Sequence, residues 1–172
     1  EEADKRLRLL RSFGHVGDEH FSLGMNAKMS EVHAAMGMAV LPHVRAIVEQ
    51  RALVAGRYND RLEELGLERP ILPDGASYNH AYYPLFVDNR GLRDRIVDSL
   101  GAEKIFLRKY FYPSLNALPY VSYRAMPRSE SAADRVLCLP FYPELDERDQ
   151  DRIAVQLCAV INRPFRAEDA GA

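Results

Sequence analysis

Residues 44–66 read VRAIVEQRALVAGRYNDRLEELG, a run in which one set of side chains recurs every three or four positions. This spacing places the set on one face of an α-helix. The set comprises Val44, Ile47, Arg51, Val54, Tyr58, Leu62 and Leu65. Because Gly66 can adopt the left-handed conformation that ends helices, we expect the helix to stop there. At 1.5 Å per residue it would be roughly 30–35 Å long, enough to bridge two domains.

Two further helical patterns precede this long helix. Ser30 is suited to cap a helix whose apolar side chains recur over residues 32–40, and Pro42 then predicts a kink or a new helix start. The first residues also have helical spacing, which predicts a helix closed by Gly14. We expect the polar residues 17–20 to form a loop. Since the chain opens inside a helical pattern and without Met, we expect the natural protein to begin upstream.

Strand and helix patterns alternate after the Pro- and Gly-rich residues 70–75. We predict strands over 78–87, 104–112 and 137–142, and helices over 92–100, over 129–136 and from a cap at Asp146. Pro84 restricts the first of these strands to an edge or a bulge. Helices followed by alternating strands and helices predict a layered α/β or α+β domain. We expect the tail after Pro164 to be loose.

Composition and charge narrow the class of protein. The chain has 172 residues with 23 basic and 25 acidic side chains, a balance that gives nucleic-acid binding little support. No apolar run approaches the roughly 20 residues that cross a bilayer, and no signal-peptide pattern is present, so we expect a cytoplasmic protein without a membrane partner. Cys138 and Cys158 lie in apolar sequence and are expected to be core residues. No cysteine or histidine spacing suggests a metal site.

Three motifs and the long helix occur in the order of the landmarks of one family. Residues 23–37 read LGMNAKMSEVHAAMG, residues 108–115 read RKYFYPSL and residues 137–145 read LCLPFYPEL. They resemble three segments of the DegT/DnrJ/EryC1/StrS family of PLP-dependent sugar aminotransferases. These are its Gly-x-Asn-x-(Arg/Lys)-Met-Ser-Glu motif before an alanine-rich helix, its RxYFYPxL segment and its LxLPxYPxL strand and turn. Arg51 and Tyr58 resemble positions of the family's long helix. The shared order over most of the chain makes the match specific.

The resemblance implies a fold class and partners. It implies the C-terminal small domain of a fold-type I aminotransferase, preceded by long linking helices. Residues 1–66 would then be the end of the large domain and the interdomain helices, and residues 67–172 the small α/β domain. The family's members work as homodimers with active sites at the subunit interface. PLP is their cofactor, a nucleotide-linked 4-keto or 3-keto hexose their substrate and glutamate their usual amino donor.

The same motifs imply roles for four side chains. Asn26 matches an asparagine that reaches the PLP phosphate of the neighbouring subunit, and Lys28 matches an Arg or Lys near the anionic part of the substrate. Tyr112, and with it Tyr110, match a segment that lines the sugar pocket, where a phenol can stack on or hydrogen-bond to a hexose. Each has a plainer interpretation: a turn residue for Asn26, a solvated charge for Lys28 and a packed strand for the tyrosines.

The family's catalytic lysine has no counterpart in this sequence. It lies upstream of the Gly-x-Asn motif in a Ser-Phe-His-x-x-Lys setting, which Lys5, Lys28, Lys104 and Lys109 do not have. We therefore assign no catalytic residue to the chain. We expect PLP to be bound mostly by a preceding part, and the piece alone to be inactive. Two alternatives stay open: a sugar dehydratase of the same family, in which His replaces that lysine, and a non-catalytic binding module.

The helices before Gly66 also predict how the piece behaves on its own. Because a large domain would cover the long helix and its alanine-rich predecessor, we expect exposed apolar surface on this chain. The expected result is weak stability or self-association.

Overall fold

The computed structural model describes residues 1–162, so the predicted loose tail lies outside the described residues. The chain separates into two compact units, an N-terminal unit of Glu1–Val44 and a C-terminal unit that begins at Arg45. The sequence predicts a boundary between residues 66 and 67, where two domains of a larger protein would meet. The division of this chain into compact units does not test that boundary. It stays a prediction.

The N-terminal unit consists of two helices and a small hairpin. Helix α1 spans Glu2–Arg11, strands β1 (His15–Val16) and β2 (Glu19–His20) pair antiparallel, and helix α2 spans Glu31–Val40. The predicted loop over 17–20 is therefore wrong in part. Gly17, at φ +59°, lets the chain reverse within two residues, so that the backbone on either side pairs.

Two helix ends in this unit follow the sequence pattern. The Ser30 hydroxyl accepts a hydrogen bond from the His33 backbone N–H at 3.3 Å, which confirms the predicted cap of α2. Gly14 follows α1 at φ +79° and donates its N–H to the Leu9 carbonyl at 2.9 Å. A turn of 3₁₀-helix over Leu41–His43 follows α2, so the irregularity predicted at Pro42 is present.

The long helix α3 spans Val44–Leu62 and ends in a 3₁₀ turn at Gly66, which is left-handed with φ +57°. This confirms the predicted helix and its end. The predicted stripe is buried only in its second half, where Val54, Tyr58 and Leu62 are enclosed. Val44 is 44% exposed, because the apolar side chains of the C-terminal unit pack on the later turns of α3.

The sheet of the C-terminal unit is small. Strands β3 (Pro84–Phe86) and β4 (Val136–Cys138) pair antiparallel, with Leu85 opposite Leu137. β3 is a short part of the strand predicted over 78–87, and Pro84 stands first in it, a position where a missing N–H is tolerated. β4 shares only Leu137 and Cys138 with the strand predicted over 137–142, and it begins at Val136, which the sequence placed in the preceding helix.

The strand predicted over 104–112 is wrong. In this segment only Arg108 pairs with the sheet, through reciprocal hydrogen bonds with Cys138 at 3.2 and 2.8 Å. The start of the segment instead closes the preceding helix, since the Ile105 N–H bonds the Leu100 carbonyl at 2.9 Å. The carbonyls left unpaired at the end of the preceding helix therefore bond part of this backbone, which keeps it out of the sheet.

Three helices complete the unit: α4 (Arg90–Ala102), α5 (Pro127–Arg135) and α6 (Glu147–Ile161), all within a few residues of the predictions. Asn89 and Asp146 cap α4 and α6 with their side chains. The core lies between α3, α4, α6 and the sheet. Cys138 is buried, and Cys158 packs against the core half-buried, as expected for core cysteines. Mixed helices and small sheets confirm the predicted α/β (α+β) class.

One buried polar side chain joins two of the helices. Gln150 of α6 is fully buried, and its Nε2 donates to the Val54 carbonyl of α3 at 2.9 Å. A buried amide without that bond would destabilise the fold, so the bond fixes how α6 lies on α3.

Candidate functional site

The Gly-x-Asn segment of the N-terminal unit is held by its backbone. The Met25 N–H bonds the Leu10 carbonyl at 2.8 Å, and the Ala27 N–H bonds the Arg11 carbonyl at 3.0 Å. Gly24 passes so close to the backbone of Gly14 that a Cβ there would lie 2.3 Å from the Gly14 nitrogen. No residue with a Cβ fits at position 24, so the close packing of the two backbones explains why the motif has a glycine there.

This anchoring leaves the Asn26 side chain exposed and without a hydrogen bond to any described residue. Its backbone pairs with Ser12, so the carboxamide projects from a fixed segment. Asn26 is therefore no buried core residue. A fixed, free carboxamide is chemically suited to donate to an oxyanion such as a phosphate oxygen.

Lys28 lies two residues further along the same segment. It is exposed, and its ammonium sits 4.6 Å from the centroid of the Phe13 ring. This cation–π contact holds the charge near the Asn26 segment, and no carboxylate of residues 1–162 pairs with it. The positive charge therefore stays available to an anion.

Tyr110 is half-buried among aromatic rings. Its ring lies 5.1 Å from the rings of Tyr82 and Phe111, and the Arg108 guanidinium donates to its hydroxyl. It lines a cavity of about 230 Å³ together with Phe111, Ser114 and residues of α5.

Tyr112 lies over a cluster of cations. The Arg93 guanidinium carbon is 4.2 Å from its ring centroid, that of Arg90 is 5.1 Å away, and the Lys109 ammonium is 5.7 Å away. The phenol ring is half-buried. Tyr112 and Tyr110 therefore lie in one segment but in different surroundings, one packed on charges and the other on aromatic rings.

Asp94 of α4 balances these cations. Its pKa is lowered from the ordinary value: desolvation by burial acts to raise it, but the hydrogen bonds from Arg93 and Lys109 and their charges outweigh that effect. Sequence reasoning missed this cluster. Its only signal was the pair Arg93-Asp94 within the predicted helix 92–100, which by itself resembles an ordinary solvated face.

A second cavity, of about 290 Å³, lies between α3 and the segment before β3. Asn59 Oδ1 accepts hydrogen bonds there from the Tyr83 hydroxyl, at 2.8 Å, and from the Arg69 guanidinium. Burial is the largest cause of the raised pKa of Tyr83. The sequence had no pattern that pointed to this cavity.

The four predicted site residues thus fall into two pairs. Asn26 and Lys28 share one segment of the N-terminal unit, and Tyr110 and Tyr112 share one segment of the C-terminal unit. Among residues 1–162, no group of His, Cys, Asp or Glu side chains is arranged to hold a metal ion. Within the same residues, no helix is both long and apolar enough to cross a membrane.

The architecture matches the C-terminal portion of known aminotransferases. A DegT DnrJ EryC1 StrS aminotransferase from Brucella abortus superposes with a TM-score of 0.82 at 28% identity, over 94% of this chain and 44% of that one. DesI, solved in the presence of its TDP-sugar product, superposes with a TM-score of 0.76 at 30% identity, over 91% of this chain and 42% of that one.

Residues 1–158 match the DegT/DnrJ/EryC1/StrS aminotransferase family, and the chain belongs to it. It is 33% identical over 161 residues to the dTDP-4-amino-4,6-dideoxy-D-glucose transaminase of Escherichia coli, covering 85% of this chain and 43% of that protein. It is also 33% identical over 157 residues to the UDP-N-acetyl-3-dehydro-alpha-D-glucosamine 3-aminotransferase of Acidithiobacillus ferrooxidans, covering 89% and 42%. The chain therefore spans less than half the length of these relatives.

Proposed function

We propose that this chain is the C-terminal portion of a PLP-dependent aminotransferase that acts on a nucleotide-linked keto-sugar, with glutamate as the amino donor. The observation that carries the proposal is the carboxamide of Asn26, which is exposed, has no hydrogen-bond partner within residues 1–162 and stands on a segment packed closely at Gly24. The transaminases among its relatives support the substrate class, since their names specify dTDP- and UDP-linked sugars.

The residues present fit the cofactor in one respect. An amide N–H is a neutral donor, and the free carboxamide of Asn26 can bind a phosphate oxygen without a competing partner in the described residues. PLP, when bound, supplies the electron sink of transamination. Of the four lysines, Lys28 lies beside Asn26, and we assign it to the anionic part of the substrate. The Schiff-base residue is assigned to a part of the protein outside this chain.

The tyrosines would contact the sugar part of the substrate. Tyr110 lines its cavity, and a phenol can stack on or hydrogen-bond to a hexose. Tyr112 presents a phenol whose ring is fixed by Arg93. We assign both to the sugar pocket, with orientation of the hexose as their role.

A homodimer is part of the proposal, and the N-terminal unit has the large apolar surface that such a contact needs. In that unit, Gly14 is the only buried residue. Apolar side chains that are more than 60% exposed include Leu23, Met25, Met29, Val32, Met36, Met38 and Leu41. Apolar surface of this extent marks a contact with another domain or chain. On its own, the chain should self-associate in sedimentation experiments, and a compact, cooperative monomer would contradict this.

Asn26→Ala in the full-length protein tests the proposal. Losing a hydrogen bond to a charged group costs about 1.5–3 kcal/mol, so PLP affinity should fall roughly 10–100-fold. Asn162→Ala, at the exposed end of α6, is the matched control and should leave the affinity unchanged. The measurement is absorbance titration with PLP, together with transamination of a dTDP-linked 4-keto hexose by glutamate.

The outcomes separate the alternatives. An Asn26→Ala protein with unchanged PLP affinity would refute the assigned role of the carboxamide. A wild-type protein that removes a hydroxyl from the sugar, without consuming glutamate, would be a dehydratase. A wild-type protein that binds PLP nowhere would be a non-catalytic module. The isolated chain should show only the absorbance of free PLP.

A further inference from the structure

The Asp94 carboxylate contacts three cations. Its Oδ1 accepts hydrogen bonds from Arg93 Nε at 3.0 Å, Arg93 Nη2 at 2.8 Å and Lys109 Nζ at 3.1 Å. Its Oδ2 lies 3.5 Å from Arg90 Nε. A carboxylate shared in this way holds side chains of two segments in one arrangement, because moving either breaks a charge-assisted hydrogen bond.

Arg93 is the rigid member of the cluster. Its side chain is fully buried, and its remaining terminal nitrogen, Nη1, donates to the Ala133 carbonyl of α5 at 2.9 Å. The guanidinium is thus fixed between α4 and α5, and its Cζ atom lies 4.2 Å from the Tyr112 ring centroid. Without Asp94, this guanidinium would be a buried cation without a counter-charge, which proteins avoid by rearranging.

Lys109 supplies the second connection. It begins the aromatic segment, residues 109–112, and its ammonium donates a hydrogen bond to Asp94 on α4. Asp94 therefore holds the aromatic segment twice, directly through Lys109 and indirectly through Arg93 under Tyr112. Tyr110, which lies between these two attachment points, is constrained by both.

We propose that Asp94 is a positioning residue, which fixes the segment Tyr110–Tyr112 so that the two phenols meet the sugar substrate in one orientation. The proposal rests on the proposed function. It adds a specificity role that Asp94 exerts through Arg93 and Lys109. Fixing a contact group in advance matters because a misplacement of about 1 Å can cost on the order of 100-fold in rate.

The test compares three variants of the full-length protein: Asp94→Asn, Asp94→Glu and the control Asp98→Asn. Asp98 is exposed on the same helix, and its substitution by Asn removes the same charge. For Asp94→Asn we expect kcat/KM for the nucleotide sugar to fall roughly tenfold or more. The half-reaction with glutamate, followed as 2-oxoglutarate release, should keep its rate. Asp94→Glu should recover part of the loss, and Asp98→Asn should match wild type.

A merely structural role would lower both half-reactions together in Asp94→Asn, and that result would overturn the proposal. So would an unchanged kcat/KM for the sugar. If the wild-type protein carries out neither half-reaction, the proposed function fails instead. The positioning is then decided by NMR on this chain. Shifts of the Tyr110 and Tyr112 ring signals in Asp94→Asn, but not in Asp98→Asn, support it, and unchanged ring signals overturn it.

Discussion

Tyr58→Phe isolates one partly buried hydrogen bond in the C-terminal unit. The Tyr58 side chain on α3 is fully buried, and its ring lies 4.9 Å from that of Tyr83. Its hydroxyl donates to the Pro140 carbonyl at 3.0 Å, which links α3 to the segment after β4. Phenylalanine keeps the ring and its packing. The substitution therefore removes the hydroxyl and leaves the Pro140 carbonyl without this donor.

The size of the effect follows from desolvation. A fully buried acceptor that loses its partner costs about 1–3 kcal/mol, and because Pro140 is only half-buried, the lower part of this range applies. The ring contributes nothing to the difference because it is retained. We therefore expect the free energy of unfolding to fall by about 1–2 kcal/mol. In a domain of around 100 residues, each kcal/mol lowers the melting temperature by roughly 4–8 °C.

The assay is urea unfolding followed by circular dichroism, with Tyr120→Phe as the matched control. Tyr120 is 81% exposed, so losing its hydroxyl should leave the unfolding midpoint unchanged. A Tyr58→Phe protein as stable as wild type would refute the reasoning, because it would mean that the Pro140 carbonyl is satisfied without the phenol. Equal losses in both variants would also refute it.

Two further predictions concern a helix cap and pH. Ser30→Ala should destabilise the start of α2 by about 1 kcal/mol, seen as faster hydrogen exchange at the His33 amide, whereas Ser30→Asp should keep exchange slow. Burial is the largest cause of the raised pKa values of Tyr58 and Tyr83. Their contribution to stability is therefore complete below the unfolded pKa near 10. It should be lost as pH rises above about 10, and urea titrations at pH 9 to 11 should show less of this loss in Tyr58→Phe.

Part of the fold could be read from local sequence because local rules decide it. The stop of α3 at Gly66 needs only a left-handed residue, and the caps at Ser30 and Asp146 need only a short polar side chain. The strand prediction over 104–112 was wrong for the opposite reason, because contacts with distant segments decide the structure there. The segment's aromatic and branched residues suit a strand, but closure of the preceding helix and the packing of Tyr112 on Arg93 take most of its backbone out of the sheet.

The candidate site shows the same division. Asn26 and Lys28 could be selected from the sequence because they stand in a motif with fixed spacing, and the structure adds that Gly24 is required by a close backbone crossing. The role of Asp94 could not be selected. It depends on Lys109, fifteen residues away, and on the Ala133 carbonyl, forty residues from Arg93.

By itself, the sequence determined the family, the helices and their ends, because periodicity, caps and motifs act over a few residues. Only the tertiary structure decided which half of α3 is buried, how small the sheet is, and that one carboxylate joins three cations beside Tyr112. The physical reason is distance along the chain. Packing and ion pairing are set by segments that meet in space, and no local pattern states which segments will meet.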